Sequence, residues 1–292
     1  MKPVVAIVAP GNMGAAVGRR LVEHGLEVLT ALEGRSSPSR ARAREAGLKD
    51  VPEAALAQAD FVLSIVPPGN AVEFAERMAL HLAAAARKAI FVDCNAVSPA
   101  TVQRIAELIG RTGAPFVDAG IIGFPPQAGR SGPNLYACGP HAARFQALEE
   151  FGLTIRRVDG PIGAASALKM AYAGITKGIT AIGVTMLLAA ERAGVAEALH
   201  AELAESQQNV LAGYGRSIPG MFPKAYRWVA EMEEIAEFLG DDRAGHDMYA
   251  AIAKLYERIA AGVDRTSPEA EQELKLLRAF CAEAPEKLSK AS

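Results

Sequence analysis

Two stretches of this 292-residue sequence combine residue types and spacings that could do chemistry. The first is Ala9-Pro10-Gly11-Asn12-Met13-Gly14, directly after the apolar run Val4 to Val8. Its spacing is that of G-x-G-x-x-G with alanine in the first slot. Gly11 lets the backbone approach a pyrophosphate, and Gly14 lets a helix pack closely on the preceding strand. The free N–H groups and positive end of that helix would then favour the phosphate charge. Ala9 departs from the pattern where the first glycine serves a tight turn, and an ordinary βα turn with two glycines is the alternative. The second stretch surrounds Lys169, the only charged residue between Ile162 and Thr176. A lysine in apolar company must be paired, reach water along its stem, or be used. Desolvation of the charged form eases proton exchange, which suits a general acid/base. Tyr172, Ala173 and Thr176 share its helix face at i+3, i+4 and i+7.

Other positions would tune such a site. After the second apolar run come Glu33-Gly34-Arg35-Ser36, with Arg40 beyond. An acid at Glu33 suits the ribose 2′-hydroxyl of NAD, whereas Arg35, Ser36 and Arg40 make a set ready for the 2′-phosphate of NADP. The second feature favours NADP(H) over NAD(H). Arg42 and Arg44 continue the basic run and leave a solvated loop as the plain alternative. Asn95 falls at the end of an apolar run, where open α/β sheets bind ligands, so it is a candidate for both substrate and cofactor contact, with turn capping as the other reading. The Gly- and Pro-rich loop from Gly120 to Gly132 is expected to line the same site.

Elements to position these residues are legible in the hydropathy. Val4–Val8, Leu26–Leu32, Phe61–Val66, Ile90–Asp93 and Pro115–Asp118 read as strands separated by helical stretches at Met13–His24, Ala71–Ala86 and Pro99–Ile109. Strands alternating with helices imply a parallel sheet covered on both faces. LYACG and TIRRVDG add one or two more strands. From Ile162 onward no strand signal remains. Ile162–Arg192 reads as one long helix, apolar nearly all round and therefore suited to a core or a subunit interface. Helices follow at Glu197–Leu211, Lys224–Leu239, Met248–Ala261 and Pro268–Ala282, with a polar, frayed tail over Pro285–Ser292. The expected fold class is an α/β Rossmann domain, doubly wound and mainly parallel, over residues 1–161, followed by an all-α domain over 162–292.

Composition narrows the function. Lys and Arg number 31 against 33 Asp and Glu, a net charge of −2, which argues against a general nucleic-acid binder. Cys94, Cys138 and Cys281 are far apart and form no CxxC pair, so they read as thiols of a reducing compartment rather than a metal or disulfide framework. The uncharged run Gly178–Ala190 is short for a bilayer span. A cytoplasmic protein without nucleic-acid or membrane partners is expected. His24, His81, His141 and His200 have no partners at metal-ligand spacing, so no metal site is expected. His246 reads as a helix-entry residue. Arg227, Trp228, Glu231 and Glu234 read as an amphipathic helix with a solvated acidic face.

Taken in order, several segments resemble the β-hydroxyacid dehydrogenase family, relatives of 6-phosphogluconate dehydrogenase. AIVAPGNMG is similar to its N-terminal fingerprint, SIVPP (Ser64 to Pro68) to its turn beside the nicotinamide, and VDCNAVSP (Val92 to Pro99) to a segment ending in Ser-Pro. GAASALKMAYAG (Gly163 to Gly174) resembles the start of the long helix that carries the family's catalytic lysine. The resemblance implies a Rossmann domain binding the cofactor through Ala9–Gly14, Val66 and Pro67. It also implies a helical domain that builds a homodimer, a small-molecule substrate, and Lys169 as acid/base. It spans most of residues 3 to 190. The family's substrate loop, Asp-Ala-Pro-Val-Ser-Gly-Gly, is here Asp118-Ala119-Gly120-Ile121-Ile122-Gly123-Phe124, and its asparagine one turn after the lysine is Ala173. Two polar anchors are thus replaced, which suits a bulkier or more apolar substrate against Ile122 and Phe124. Ile122, Gly123, Tyr172, Thr176 and Asn95 are the expected substrate contacts, with Tyr172, Thr176 or Asn95 supplying replacement hydrogen bonds. An imine reductase and a non-catalytic nucleotide-binding scaffold are the alternatives. Lys169 speaks against both. A methyltransferase fits the helical second half poorly.

Overall fold

The computed structural model describes residues 2–127, 129 and 132–288. The chain divides into two compact units, Met1–Ala171 and Tyr172–Ser292.

The first unit is built on one eight-stranded sheet. Its strands are β1 (Val4–Val8), β2 (Glu27–Thr30), β3 (Lys49–Asp50), β4 (Phe61–Ser64), β5 (Ile90–Asp93), β6 (Phe116–Ile122), β7 (Asn134–Cys138) and β8 (Thr154–Arg157), in the order β3-β2-β1-β4-β5-β6-β7-β8. All neighbouring pairs are parallel except β6 with β7. Strands such as Phe61–Ser64 and Ile90–Asp93 are buried at every position, which is why they read as continuous apolar runs. One core cluster, including Ile7, Leu21 and Phe145, fills one face. A second, including Phe74, Phe91 and Ile105, fills the other. The covering helices are α1 (Asn12–Glu23), α2 (Ser37–Glu45), α3 (Ala71–Ala84), α4 (Pro99–Gly110) and the short α5 (Ala142–Gln146). Gly25 ends α1 with φ +83°, the left-handed conformation that favours glycine.

The long helix α6 runs over Ala164–Arg192. The first unit includes the opening turns of α6, which approach β6 closely at Gly120. By length and composition α6 could cross a bilayer, and its apolar window is longer than Gly178–Ala190. Yet 56% of that window is buried within the protein, as in a core helix.

The second unit continues with α7 (Ala196–Ser206), α8 (Gln208–Met221), α9 (Ala225–Leu239), α10 (Arg243–Val263) and α11 (Pro268–Leu288). The single helix expected over Glu197–Leu211 is two helices that part at Gln207, whose φ of −138° and ψ of 47° leave the helical region. The tail expected to fray is helical as far as Leu288, and 289–292 lie outside the described residues.

Candidate active site

Strand β1 lies between β2 and β4, because the chain first winds outward to β3 and then returns on the other side. At such a switch point the loops leaving the carboxyl ends of two strands diverge and leave a crevice. Here those loops are Ala9–Gly11 and Ile65–Pro67. They are tied together at their base, where the Ala9 N–H donates to the Ile65 carbonyl at 3.1 Å. The Gly11 N–H donates to the Ala9 carbonyl at 2.8 Å, closing a turn without a glycine in the first slot. A Cβ on Gly14 would stand 2.1 Å from the Ala9 oxygen, so that position tolerates no side chain. A Cβ on Gly11 would meet nothing within 4 Å, so this backbone is open to a ligand. The first turn of α1, which holds Asn12 and Met13, has no acidic residue. Its unsatisfied N–H groups thus face no competing anion. Loop, helix start and open glycine fit a pyrophosphate.

A cavity of about 400 Å³ adjoins this loop pair, bounded by Ala31, Glu33, Arg35, Val66, Pro67 and Asn70 among others. Arg35 and Ser36 form the turn into α2. The Arg40 Nε donates to the Arg35 carbonyl at 3.0 Å, and the Ser36 hydroxyl donates to Ser39 Oγ at 3.2 Å. Arg42 is not part of a solvated run. It is half-buried, and its Nε donates to the Pro10 carbonyl at 3.3 Å while Nη2 donates to Ser39 Oγ at 3.0 Å. The far wall carries Arg77, which is paired with Glu53 and Glu73 at 3.2 and 2.7 Å. The groups lining the cavity that could select between a ribose hydroxyl and a phosphate are therefore Glu33 and Arg35, with Ser36 next in the chain.

Asn95 lies just beyond the carboxyl end of β5, as expected. It is 2% exposed. Its Oδ1 accepts the Val66 N–H at 2.7 Å, and its Nδ2 donates to Ser64 Oγ at 2.8 Å and to Asp93 Oδ2 at 2.9 Å. The Asn95 N–H donates to Asp93 Oδ1 at 3.0 Å. Both amide protons are engaged with Ser64 and Asp93, and Oδ1 holds the Val66-Pro67 loop, so the capping part of the expectation is met. Two of the Asn95 partners, Ser64 and Val66, lie 31 and 29 residues away on the neighbouring strand and the loop after it, where sequence context does not reach.

Lys169 lies one and a half turns into α6, and the sheet fixes its position. Gly120 on β6 faces the helix so closely that a Cβ there would stand 2.9 Å from the Lys169 Cβ and 3.0 Å from the Ala165 carbonyl oxygen. Two residues earlier on the same strand face, Asp118 is fully buried. Its Oδ2 accepts the N–H of Gly163 at 2.8 Å and of Ser166 at 3.2 Å, and its Oδ1 accepts the Ser166 hydroxyl at 2.7 Å. The Cys138 thiol donates to the same carboxylate at 3.1 Å. Burial and then the Asp118 charge push that thiol up to about 12, so it stays protonated. Sequence spacing gave no sign of these bonds. Gly163 and Ser166 lie 45 and 48 residues from Asp118.

Ile122 is half-buried at the end of β6. Gly123, with φ +129°, turns the chain outward, and Phe124 is 78% exposed. Part of the loop expected to line the site, residues 128, 130 and 131, lies outside the described residues. Tyr172 and Thr176 follow on α6 in the second unit, both exposed, and the Thr176 hydroxyl donates to the Tyr172 carbonyl at 3.0 Å. Glu231 is not on a solvated face. It is buried and pairs with Lys177 at 2.5 Å, while Lys177 also lies 5.2 Å from the Trp228 ring centre. Among the described residues no cluster of three metal-ligating side chains occurs. His246 is on the surface beside Asp247, and all three cysteines are buried free thiols.

The chain is similar in sequence and in fold to several known proteins. Residues 4–153 match the NAD binding domain of 6-phosphogluconate dehydrogenase, and residues 190–259 match a domain of unknown function, DUF1932. An uncharacterized 28.5 kDa protein of Methanothermus fervidus is 29% identical over 217 residues, covering 73% of this chain and 82% of its own. A conserved protein of unknown function, reported to resemble 3-hydroxyacid dehydrogenases, aligns with a TM-score of 0.65 at 28% identity over 93% of this chain and 99% of its own. A 3-hydroxyisobutyrate dehydrogenase of Salmonella typhimurium shares the fold at 16% identity, with a TM-score of 0.67 over 90% and 96% of the two chains. The same fold occurs in a protein solved with NADP+ (18% identity, TM-score 0.60, covering 88% and 93%). It also occurs in an imine reductase of Myxococcus stipitatus solved with NAD+ (18%, 0.54, 88% and 94%).

Proposed function

The chain belongs to the family defined by the NAD binding domain of 6-phosphogluconate dehydrogenase, and on that premise we propose that it moves a hydride between NADP(H) and a carbonyl/alcohol pair, with Lys169 as the acid/base. It is an NAD(P)-dependent dehydrogenase or reductase. The observation that carries the finer reading is Lys169 itself: the one charged residue in the sequence between Ile162 and Thr176, seated against Gly120 of the sheet whose other loops form the glycine crevice.

The nicotinamide, when bound, supplies the two-electron chemistry. The chain's own residues do the rest. Gly11 and the N–H groups opening α1 hold the pyrophosphate. Arg35 and Ser36 take the 2′-phosphate, an arginine fork being the better match for a phosphate than for a hydroxyl. Asn95 fixes the Val66-Pro67 loop through its 2.7 Å bond to the Val66 N–H. In the reducing direction the Lys169 ammonium delivers a proton to the substrate oxygen; in the oxidising direction the neutral amine takes the hydroxyl proton. Ile122 and Phe124 offer apolar surface where a small hydroxy acid would want hydrogen bonds, which supports a bulkier, apolar carbonyl substrate.

We read the enzyme as a cytoplasmic homodimer. Supporting the dimer, Leu168, Tyr172, Ile175, Ile179, Ile182 and Met186 form an exposed apolar stripe along α6 with alternating steps of four and three residues. That spacing suits pairing with an identical helix. Supporting the compartment, the thiols are free and buried.

The test is a screen of aldehydes, ketones and imines by NADPH oxidation, followed by Lys169→Met on the best substrate. Turnover is expected to fall by roughly 10²- to 10⁴-fold with coenzyme affinity unchanged. Undiminished turnover in Lys169→Met would overturn the assignment of the lysine.

A further inference from the structure

We propose that Asp118 is a positioning residue for Lys169: by collecting the free donors at the start of α6, it sets the rotation and depth at which the helix presents the lysine. The inference rests on the reading of Lys169 as the acid/base.

A 29-residue helix begins at Ala164, and its first turn has N–H groups with no helical acceptor. Such groups are usually met by a side chain next to the cap, within the same few residues. Here the acceptor comes from the sheet instead. Asp118 takes the N–H of Gly163 and Ser166 through one oxygen and the Ser166 hydroxyl through the other. Both carboxylate oxygens are thus used, and the two donors at Gly163 and Ser166 define a rotation as well as a distance. The carboxylate is fully buried, where charge-assisted bonds are least diluted by water.

Cys138 reinforces the same joint from the antiparallel neighbour β7. Its sulfur accepts the Ala165 N–H at 3.3 Å, while its hydrogen lies within reach of Asp118 and of the Pro161 carbonyl at 3.2 Å. Gly120, on the same face of β6 as Asp118, supplies the matching absence: with no Cβ it lets the helix settle against the strand at Ala165 and Lys169. Ser166 and Lys169 are one helical turn apart, so a rotation released at Ser166 moves the lysine with it. A capping role alone would be served by any local Ser, Thr or Asp. An acceptor placed on β6 makes the lysine's position a property of the sheet.

The experiment labels the lysines by reductive methylation with carbon-13 and identifies the Lys169 signal by its absence from Lys169→Met. Asp118→Asn and Ser166→Ala are then compared with the unaltered protein, each with its NADPH affinity by fluorescence. The Lys169 signal is expected to shift or broaden while the other lysine signals stay in place. NADPH affinity should hold within about threefold, and kcat on the screened substrate should fall at least about tenfold. Ser166→Thr, which keeps the hydroxyl, is expected to restore both. A folded Asp118→Asn with an unchanged Lys169 signal and unchanged kcat would overturn the proposal. If Asp118→Asn does not fold, Ser166→Ala, which removes one hydroxyl, decides it by the same two readouts. Turnover surviving in Lys169→Met would instead overturn the acid/base reading. The lysine signal in the Asp118 and Ser166 variants would still report whether the carboxylate positions it.

Discussion

The Cα of Gly120 and the stem of Lys169 approach so closely that a methyl group on the glycine would stand 2.9 Å from the lysine's Cβ. Strand and helix are thus in contact at the residue proposed to carry the proton. Gly120→Ala is expected to push the opening turns of α6 away from β6. We expect a stability loss of about 1–3 kcal/mol in urea unfolding and a drop in kcat of at least about tenfold, since small displacements of a reacting group are costly. Unchanged kcat in a folded Gly120→Ala protein would separate the lysine's position from its activity.

A methyl group on Gly14 would lie 2.1 Å from the Ala9 carbonyl oxygen, a backbone atom that cannot step aside. Gly14→Ala is therefore expected to reshape the loop that opens α1 and weaken NADPH binding by at least about tenfold, measured by fluorescence titration. Binding at the original affinity would show that the loop does not hold the pyrophosphate.

Arg35 is expected to discriminate between coenzymes. Loss of a charge-assisted bond to a phosphate costs about 1.5–3 kcal/mol, so Arg35→Ala should raise the Kd for NADPH by roughly 10- to 100-fold and leave that for NADH nearly unchanged. Equal effects on both would assign Arg35 to the shared part of the coenzyme.

In the helical unit, Lys177 and Glu231 form a pair at 2.5 Å with side chains only 13% and 9% exposed. Removing one partner strands the other charge, so Lys177→Met or Glu231→Leu alone is expected to cost about 3–5 kcal/mol. The double variant should recover most of that. Urea unfolding of the four proteins completes the cycle, and additive single losses would contradict a coupled pair.

The cysteines give a pH dependence. Burial first, then the Asp118 charge, raise Cys138 from about 9 to about 12, and burial raises Cys281 to about 11. Between the ordinary value and these raised ones the unfolded chain has lost protons that the folded chain retains. Stability from these groups is thus fully present below about pH 9 and declines as the pH rises toward 11 and 12. The urea midpoint should fall between pH 8 and pH 10.5, less steeply in Cys281→Ala. An identical slope in that variant would rule the thiol out as a source.

Much of this architecture is legible in the amino-acid order because burial on both faces makes strands such as Phe61–Ser64 continuous apolar runs. The glycine loop is legible because steric need and residue type coincide at Gly14. What escapes detection depends on partners distant in sequence. Strand β3 consists of Lys49 and Asp50, two exposed charged residues without an apolar signature. The break at Gln207 has neither Gly nor Pro to mark it, whereas Pro219 lies inside α8 without ending it. The loop-holding bonds of Asn95 escape detection because Ser64 and Val66 belong to the adjacent strand and the loop after it. Glu231 resembles a solvated acid until α6 brings Lys177 against it, and Asp118 acquires its role only when the start of α6 returns to β6.

The most direct test of the central claim is fluorescence titration of the purified protein with NADPH and, separately, with NADH. Saturable binding of both, with NADPH the tighter, is the expected result; binding of neither would contradict the oxidoreductase reading and leave the Ala9–Gly14 loop a structural turn.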